Sequence, residues 1–213
     1  MPQPLLFVFD MDNVLYDYDW RVRMAGLSKL TGHDFHELRR RWWNNEGEWA
    51  AEAGVFPDAA SYHAALTTAL GVDLAVDDWV ANRRSAMTPW ADSIAAVERA
   101  SQLGAVSLLT NNGALMQEHL AEVAPEIAPL FGDHLYTSSD YGARKPDPLV
   151  FRNLLKRYEM DAADVFFTDD LAENVAGARS VGITSHRFTN ARRLTRAIEK
   201  FAKARRQDRA GAF

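Results

Sequence analysis

The run Leu5-Leu6-Phe7-Val8-Phe9 leads directly into Asp10-Met11-Asp12-Asn13, so an apolar segment ends in two aspartates separated by one methionine. A buried strand is normally followed by turn residues, and both aspartates are compatible with that role. Neighbouring carboxylates, however, raise each other's pKa unless a cation neutralises them. Two carboxylates at a strand end therefore also indicate a site for a hard cation, for which Mg²⁺ is the natural candidate.

Outside this stretch, short apolar or β-rich runs alternate with amphipathic stretches. The further predicted strands are Ala105–Leu109, Leu135–Thr137, Val165–Phe167 and Ile183–Arg187, and the predicted helices are Ala91–Leu103, Leu115–Val123, Pro148–Tyr158 and Ala172–Val181. This alternation predicts an α/β fold in which a parallel sheet carries helices on both faces, a Rossmann-like three-layer core. Ligands of such sheets bind beyond the carboxyl ends of the strands.

Residues 16–88 interrupt the alternation with about four helical segments and no strand between them. They predict a helical bundle inserted after the first strand, with Thr88-Pro89 as the linker that returns to the core. The predicted domains are therefore a core of residues 1–15 and 89–213 and an insertion of residues 16–88. The insertion contains five tryptophans, which either fill the core of the bundle or stack on a nucleobase or a sugar. Those tryptophans are Trp20, Trp42, Trp43, Trp49 and Trp79.

Composition excludes several classes of site. The 213 residues include 47% hydrophobic and 25% charged residues, as expected of a packed core with an ordinary surface, and no cysteine. Disulfides, thiolate metal sites and cysteine nucleophiles are thereby excluded. The first apolar run is too short for a signal peptide or a membrane span, so we expect a cytoplasmic protein that does not engage a membrane.

The C-terminal segment is basic, because residues 191–213 contain eight Arg or Lys residues against two acidic ones. Such a segment is able to contact nucleic acid or another anionic surface. However, Leu194, Ile198 and Phe201 recur at helical spacing, which favours a helix that docks on the core through this stripe. We therefore expect no nucleic acid partner.

Three more segments add polar chemistry to the predicted strand ends. Thr110-Asn111-Asn112-Gly113 follows the second strand and opens a helix, an arrangement suited to a phosphate or to an ordinary helix cap. Lys145 precedes a proline-initiated helix, where it is able to reach across the strand ends or to face solvent. Asp169-Asp170 follows the predicted strand Val165–Phe167 after one threonine. A second carboxylate pair near a second strand end is hard to explain by turn residues alone.

Four segments occur in the order and approximate spacing of the four motifs of the haloacid-dehalogenase-like hydrolase superfamily. They are Asp10–Leu15, Leu108–Asn111, Arg144–Pro148 and Phe166–Asp170. From Leu5 to about Arg187 the chain resembles the phosphatase branch of that superfamily, including a small helical cap between the first two motifs. Many relatives have glycine at the position of Asn13, but Asn tolerates a left-handed backbone well.

The resemblance implies a role for each motif residue. Asp10 is the expected nucleophile, which forms a phospho-aspartate, and Asp12 is the expected general acid and base. Thr110 and the neighbouring Asn111 amide are expected to hold the phosphoryl oxygens of the substrate. Lys145 is expected to neutralise charge on the nucleophile and on the phosphoryl group.

The same resemblance implies Mg²⁺ as the cofactor. Asp170 is the expected direct ligand, Asp169 binds directly or through water, and Asp10 and the backbone carbonyl of Asp12 complete the set. Dehalogenases of this superfamily typically lack a carboxylate at the position of Asp12 and need no metal. We therefore expect a phosphatase, with a dehalogenase, a phosphomutase and a catalytically silent binding protein as alternatives.

The expected partner is a small phosphorylated metabolite, either a sugar phosphate or a nucleoside monophosphate, because parts of the chain resemble pyrimidine 5'-nucleotidases and other parts resemble sugar-phosphate phosphatases. Arg21 or Arg23, on the first helix of the insertion, either pairs with an anionic group of the substrate or forms surface salt bridges. The expected oligomeric state is a monomer or a homodimer.

Overall fold

The apolar run that opens the chain forms β1, Leu6–Phe9, the middle strand of a five-stranded sheet in the computed structural model, which describes residues 5–210. The other strands are β2 (Tyr16–Tyr18), β3 (Met87–Pro89), β4 (Ala105–Thr110), β5 (Leu135–Thr137), β6 (Val165–Asp169) and β7 (Thr184–Arg187). The strand order of the sheet is β5-β4-β1-β6-β7, and every pair in it is parallel. The α/β prediction is confirmed.

Within residues 5–210, five α-helices lie between β2 and β3, and six α-helices follow β3. They are α1 (Trp20–Thr31), α2 (Phe35–Arg41), α3 (Glu48–Glu52), α4 (Ala59–Leu70), α5 (Val76–Ser85), α6 (Ala91–Ser101), α7 (Ala114–Val123), α8 (Ala128–Phe131), α9 (Pro148–Tyr158), α10 (Ala172–Ser180) and α11 (Ala191–Ala210). No helix within residues 5–210 is both long and apolar enough to span a lipid bilayer.

Helices cover both faces of the sheet. Successive side chains of β1 point to opposite faces, so they enter two different clusters. Phe7 and Phe9 join the core that includes α6 and α11, whereas Leu6 and Val8 join the core that includes α9 and α10. All four side chains are at most 1% exposed. A continuous apolar run is the pattern expected of a strand covered by helices on both sides.

Helix α11 docks on one face of the sheet through the predicted stripe. Leu194, Ile198 and Phe201 are buried. The Phe201 ring lies 5.7 Å from that of Phe7 and 5.6 Å from that of Phe166. Burial of this stripe confirms the docking prediction for the described part of the helix.

Two strands extend further than the apolar pattern indicates. The sequence predicts ends at Leu109 and Phe167, but β4 continues to Thr110 and β6 to Asp169. Pairing with the neighbouring strands causes the extension, since Thr110 is in register with Thr137 and Asp169 with Arg187. The polar residues are thus held by the sheet itself rather than by loops beyond it.

The predicted linker Thr88-Pro89 is part of a strand, which corrects the sequence-based interpretation. Strand β3 pairs antiparallel with β2, and Tyr16 is in register with Pro89. Two flanking backbone bonds prolong the pairing, Asp19 N to Ala86 O at 2.9 Å and Trp90 N to Leu15 O at 2.9 Å. Proline is tolerated here because this two-stranded ribbon has open edges.

The helices between β2 and β3, which we call the helical insertion (residues 20–85), pack around aromatic side chains that are continuous with the core beneath Phe7 and Phe9. Trp42, Tyr62 and Trp79 are buried, and the Tyr62 ring lies 5.3 Å from that of Trp42 and 6.3 Å from that of Trp79. Trp20 and Trp49, in contrast, are 44% and 43% exposed. Trp43 is partly buried against the same core, so packing accounts for three of the five tryptophans.

Candidate active site

The carboxyl ends of β1, β4 and β6 meet at one edge of the sheet. Strands β4 and β5 lie on one side of β1, and β6 and β7 lie on the other, so the strand order reverses at this point. Asp10 directly follows β1, and its backbone N–H donates to Thr168 O at 3.0 Å. Thr110 and Asp169 close the two neighbouring strands. Such a switch point is the usual ligand site of a parallel sheet.

Lys145 connects all three of these strand ends. Its Nζ donates to Asp10 Oδ1 at 2.7 Å, to Asp169 Oδ2 at 2.7 Å and to Leu109 O at 2.9 Å. The ammonium group has three donors, so all of them are used. The three charged residues are at most 6% exposed, and ionic hydrogen bonds in such an environment are strong.

A single ammonium group does not compensate the carboxylates around it. Burial and the neighbouring Asp169 raise the pKa of Asp10 although Lys145 opposes the shift. Burial, followed by repulsion from Asp169, raises the pKa of Asp170 to about 6. For Lys145, burial lowers the pKa, but attraction by Asp10 and Asp169 outweighs it and raises the pKa overall.

The donor set fits a divalent cation. One oxygen each from Asp10, Asp169 and Asp170 lie within 4.8 Å of one another. With Lys145, the three carboxylates carry an excess of two negative charges when ionised, and clustered carboxylate oxygens are the ligands that Mg²⁺ prefers. Three of the four predicted metal ligands are therefore together, and the assignment of the fourth, the backbone carbonyl of Asp12, stays a prediction.

Asp169 is oriented by the start of α10. Its carboxylate accepts hydrogen bonds from Leu171 N at 2.9 Å and from Asn174 Nδ2 at 3.0 Å to each oxygen. Asn174 is buried one turn into the helix. Supporting hydrogen bonds of this kind fix the direction of a ligating carboxylate.

The last residue of β4 supplies a hydroxyl, and the loop after it supplies a connection to Lys145. Thr110 is buried, and its Oγ1 accepts from Asn112 Nδ2 at 2.9 Å. The side chain of Asn111 binds the backbone of Lys145 twice, through Nδ2 to O and from N to Oδ1, both at 2.9 Å. Asn111 therefore positions Lys145, while its predicted contact with a phosphoryl oxygen stays a prediction.

Asp12 contacts a residue that the sequence analysis missed. Arg83 Nη2 lies 2.7 Å from both carboxylate oxygens of Asp12. The Arg83 side chain is completely buried, and its guanidinium carbon lies 4.0 Å above the ring of Tyr18. In the sequence, Arg83-Arg84 is typical of the exposed basic end of a helix, so no local signal identifies Arg83.

The helical insertion is in contact with the loops of the sheet. In α3, Glu52 accepts from Arg144 Nε at 2.5 Å through its carboxylate and from Ser138 Oγ at 2.7 Å through its backbone carbonyl. Gly113 faces Tyr62 so closely that a Cβ at this position would lie 2.7 Å from the ring. The insertion therefore lies directly over the strand ends.

Comparisons with known proteins agree with this geometry. A model of the haloacid dehalogenase-like hydrolases matches residues 5–182. A phosphatase of Mycobacterium tuberculosis (strain CDC 1551 / Oshkosh), MT3486, is 28% identical over 189 residues, which cover 84% of this chain and 84% of that protein.

Solved structures share the fold of this chain. A HAD family enzyme of Bacteroides thetaiotaomicron, crystallised with magnesium and inorganic phosphate, superposes with a TM-score of 0.70 at 17% identity over 87% of this chain and 94% of its own. A 2-haloacid dehalogenase of Pseudomonas syringae pv. Tomato DC3000 superposes with a TM-score of 0.59 at 19% identity, over 86% and 85%. At these identities the likeness concerns the fold.

Proposed function

The chain belongs to the haloacid dehalogenase-like hydrolases, and from this premise we propose that it is a Mg²⁺-dependent phosphatase acting on a small phosphomonoester. The observation that carries the proposal is the buried group of Asp10, Lys145 and Asp169, with Asp170 beside it. Its excess of negative charge would repel a phosphate in the absence of a cation. The similarity to phosphatase MT3486 supports the same reaction class.

In the proposed first step, a carboxylate oxygen of Asp10 attacks phosphorus while the bond between phosphorus and the alcohol oxygen breaks. Asp12 gives its proton to the departing oxygen, so that a neutral alcohol leaves. In the second step, a water molecule attacks the phosphorus of the phospho-aspartate and gives a proton to Asp12, while the bond between phosphorus and the Asp10 oxygen breaks. Inorganic phosphate is released and Asp10 is restored.

The remaining residues of the site supply position and charge. Lys145, held by Asn111, places a cation between Asp10 and the incoming phosphoryl group. Asp10, Asp169 and Asp170 would hold Mg²⁺, which neutralises the charge of the phosphoryl oxygens when bound. Phosphoryl transfer depends mostly on such positioning and charge compensation.

Residues 16–88, which contain the helical insertion, are proposed to form a cap domain. Its residue Arg83 contacts Asp12, and its α3 contacts the loops at Ser138 and Arg144. A cap in this position excludes water from the phospho-aspartate and contacts the leaving alcohol. The proposed substrate remains a sugar phosphate or a nucleoside monophosphate.

The test is phosphate release by Asp10→Asn. We expect a loss of at least about a thousandfold in kcat, because the amide is a poor nucleophile, with an unchanged circular dichroism spectrum. Asp133→Asn is the matched control, since Asp133 is exposed. Assays with p-nitrophenyl phosphate, sugar phosphates and nucleoside monophosphates, each with Mg²⁺ or EDTA, complete the design.

Two results would contradict the proposal: full activity of Asp10→Asn, or full activity of the wild-type enzyme in EDTA. Release of halide from 2-haloacids without phosphatase activity would favour the dehalogenase alternative. An isomerised phosphate ester in place of free phosphate would favour a phosphomutase. A catalytically silent protein would release phosphate from none of the substrates.

A further inference from the structure

Two arginines of the helical insertion are buried, and one of them, Arg83, contacts the proposed general acid. Arg23 is 5% exposed and Arg83 is 0% exposed. Both contact Tyr18, because Arg23 Nη1 donates to its hydroxyl at 3.1 Å and the guanidinium of Arg83 lies 4.0 Å above its ring. One tyrosine thus brings two cationic groups together, and one of these groups contacts Asp12.

These guanidinium groups have more donors than the surrounding protein uses. Within residues 5–210, Arg23 Nη2 and both Nε and Nη1 of Arg83 are buried and have no hydrogen-bond partner. Trp79 Nε1, another buried donor without a partner in that range, belongs to a ring that lies 5.6 Å from the guanidinium carbon of Arg23. A buried polar group without a partner is unfavourable, so several in one place indicate a missing acceptor.

Nearby carboxylates leave these particular donors unpaired. Glu48, the acidic residue of the insertion that attracts Arg23, already accepts from Trp42 Nε1 at 2.6 Å and from Tyr62 Oη at 2.7 Å. Asp12 accepts only from Nη2 of Arg83 among the three donor nitrogens of that side chain. The free donors would suit oxygens from outside the protein.

We propose that Arg23 and Arg83 bind a second anionic group, a carboxylate or a phosphate, on the alcohol that leaves from the phosphoryl group. The inference rests on the proposed phosphatase function. Asp12 would hold the leaving oxygen, and Arg83 lies one hydrogen bond from Asp12, so the remainder of the alcohol passes next to the arginines. Guanidinium forks match carboxylate and phosphate oxygens, and in a buried site the charged partner binds better than a hydroxyl.

Exposure separates the two arginines at the start of α1. Arg21 is exposed, whereas Arg23 is buried against Trp43 and Trp79 at 5.6 Å from each ring. The sequence alone left both as candidates for binding an anionic substrate group. The structure assigns this role to Arg23 and leaves Arg21 as a control.

The test compares substrates that differ in one group. Glycerol 3-phosphate carries a neutral hydroxymethyl group where 3-phosphoglycerate carries a carboxylate and glycerol 1,3-bisphosphate carries a second phosphate. We expect the wild-type kcat/KM to be at least about tenfold higher for one of the two anionic substrates than for glycerol 3-phosphate. The two anionic substrates distinguish a carboxylate from a phosphate.

Variants then test the residues. In Arg23→Gln and in Arg83→Gln, kcat/KM for the preferred anionic substrate should lie within about threefold of kcat/KM for glycerol 3-phosphate. Arg23→Lys keeps the charge but not the planar guanidinium, so its ratio should lie between that of the wild type and that of Arg23→Gln. Arg21→Gln should leave the ratio unchanged. The wild-type ratio needs no variant, so the inference stays testable if a substitution prevents folding.

Hydrolysis of p-nitrophenyl phosphate distinguishes failure of the proposed phosphatase function from failure of the proposed second anion site. If the wild-type enzyme does not release phosphate from this ester with Mg²⁺, the proposed function itself fails. If it does, equal kcat/KM for the neutral and anionic substrates overturns the second anion site alone, as does failure to hydrolyse any of the three. A wild-type preference that Arg23→Gln and Arg83→Gln both retain also overturns it.

Discussion

At the residue scale, the position of Lys145 depends on a neutral side chain. Lys145 lies in a loop, and loops are less constrained than the strands they connect. Asn111 makes two hydrogen bonds to the backbone of Lys145, and the ammonium group is then held by Asp10, Asp169 and Leu109 O. The side-chain amide of Asn111 therefore fixes the loop that carries Lys145 to the end of β4.

Replacement of Asn111 by alanine should reduce both stability and turnover. The variant leaves the backbone N–H and C=O of Lys145 without their partners, which costs about 1–3 kcal/mol in the free energy of unfolding. Urea denaturation measures the first effect, and kcat for phosphate release measures the second. Asn45→Ala is the matched control because Asn45 is exposed. Wild-type stability in Asn111→Ala would show that these bonds do not hold the loop.

At the element scale, short helix α3 connects the insertion to the core through an acidic residue. Burial, with repulsion from Glu48, raises the pKa of Glu52 to about 7 although Arg144 opposes the shift. The folded state therefore binds this proton more tightly than the unfolded state does. The stabilisation is complete below the unfolded pKa of 4.5 and is lost as the pH rises through about 7.

This shift predicts a pH dependence that Glu52→Gln should remove. Between pH 4.5 and 8 the free energy of unfolding of the wild-type protein should fall relative to that of the variant by up to about 3 kcal/mol. Urea denaturation at several pH values measures the difference. The exposed Glu46 provides the control variant Glu46→Gln. Parallel pH profiles for the wild type and Glu52→Gln would contradict the assignment.

The strands show how far a sequence pattern extends toward the site. The apolar run of β1 predicts its burial on both faces, and Asp10 at its end follows from the same pattern. The last residues of β4 and β6 are polar, and they belong to the sheet because they pair with β5 and β7. The sequence around each of these residues does not indicate that pairing. Periodicity locates the strands, whereas pairing decides where they end.

At the scale of the whole molecule, the four motifs predict the sheet edge and most of the side chains that meet there. Asp10, Lys145, Asp169 and Asp170 are together as expected. Arg83 could not be predicted, because its partner Asp12 is distant in the chain and comes near only when the insertion packs over the sheet. Contacts between separately patterned parts of a chain leave no local signal.

The carboxylate cluster also predicts how the entire protein responds to a cation. Excess Mg²⁺ should raise the Tm, because a ligand at a hundred times its Kd stabilises the folded state by about 2.7 kcal/mol. Asp170→Asn should reduce the Tm shift strongly, and Asp133→Asn should retain it. Differential scanning calorimetry with Mg²⁺ or EDTA measures both. The same Tm shift in Asp170→Asn and in the wild type would place the cation elsewhere.

The ribbon of β2 and β3 has a consequence for how this architecture diversifies. Because Tyr16 is paired with Pro89, the chain departs from the sheet and returns to it at a single point. The bond from Asp19 N to Ala86 O closes that point on the side of the helices. Everything between is an exchangeable module: its length and helix number can change across evolution, or in a chimera, without shifting the register of any strand that carries a reactive carboxylate.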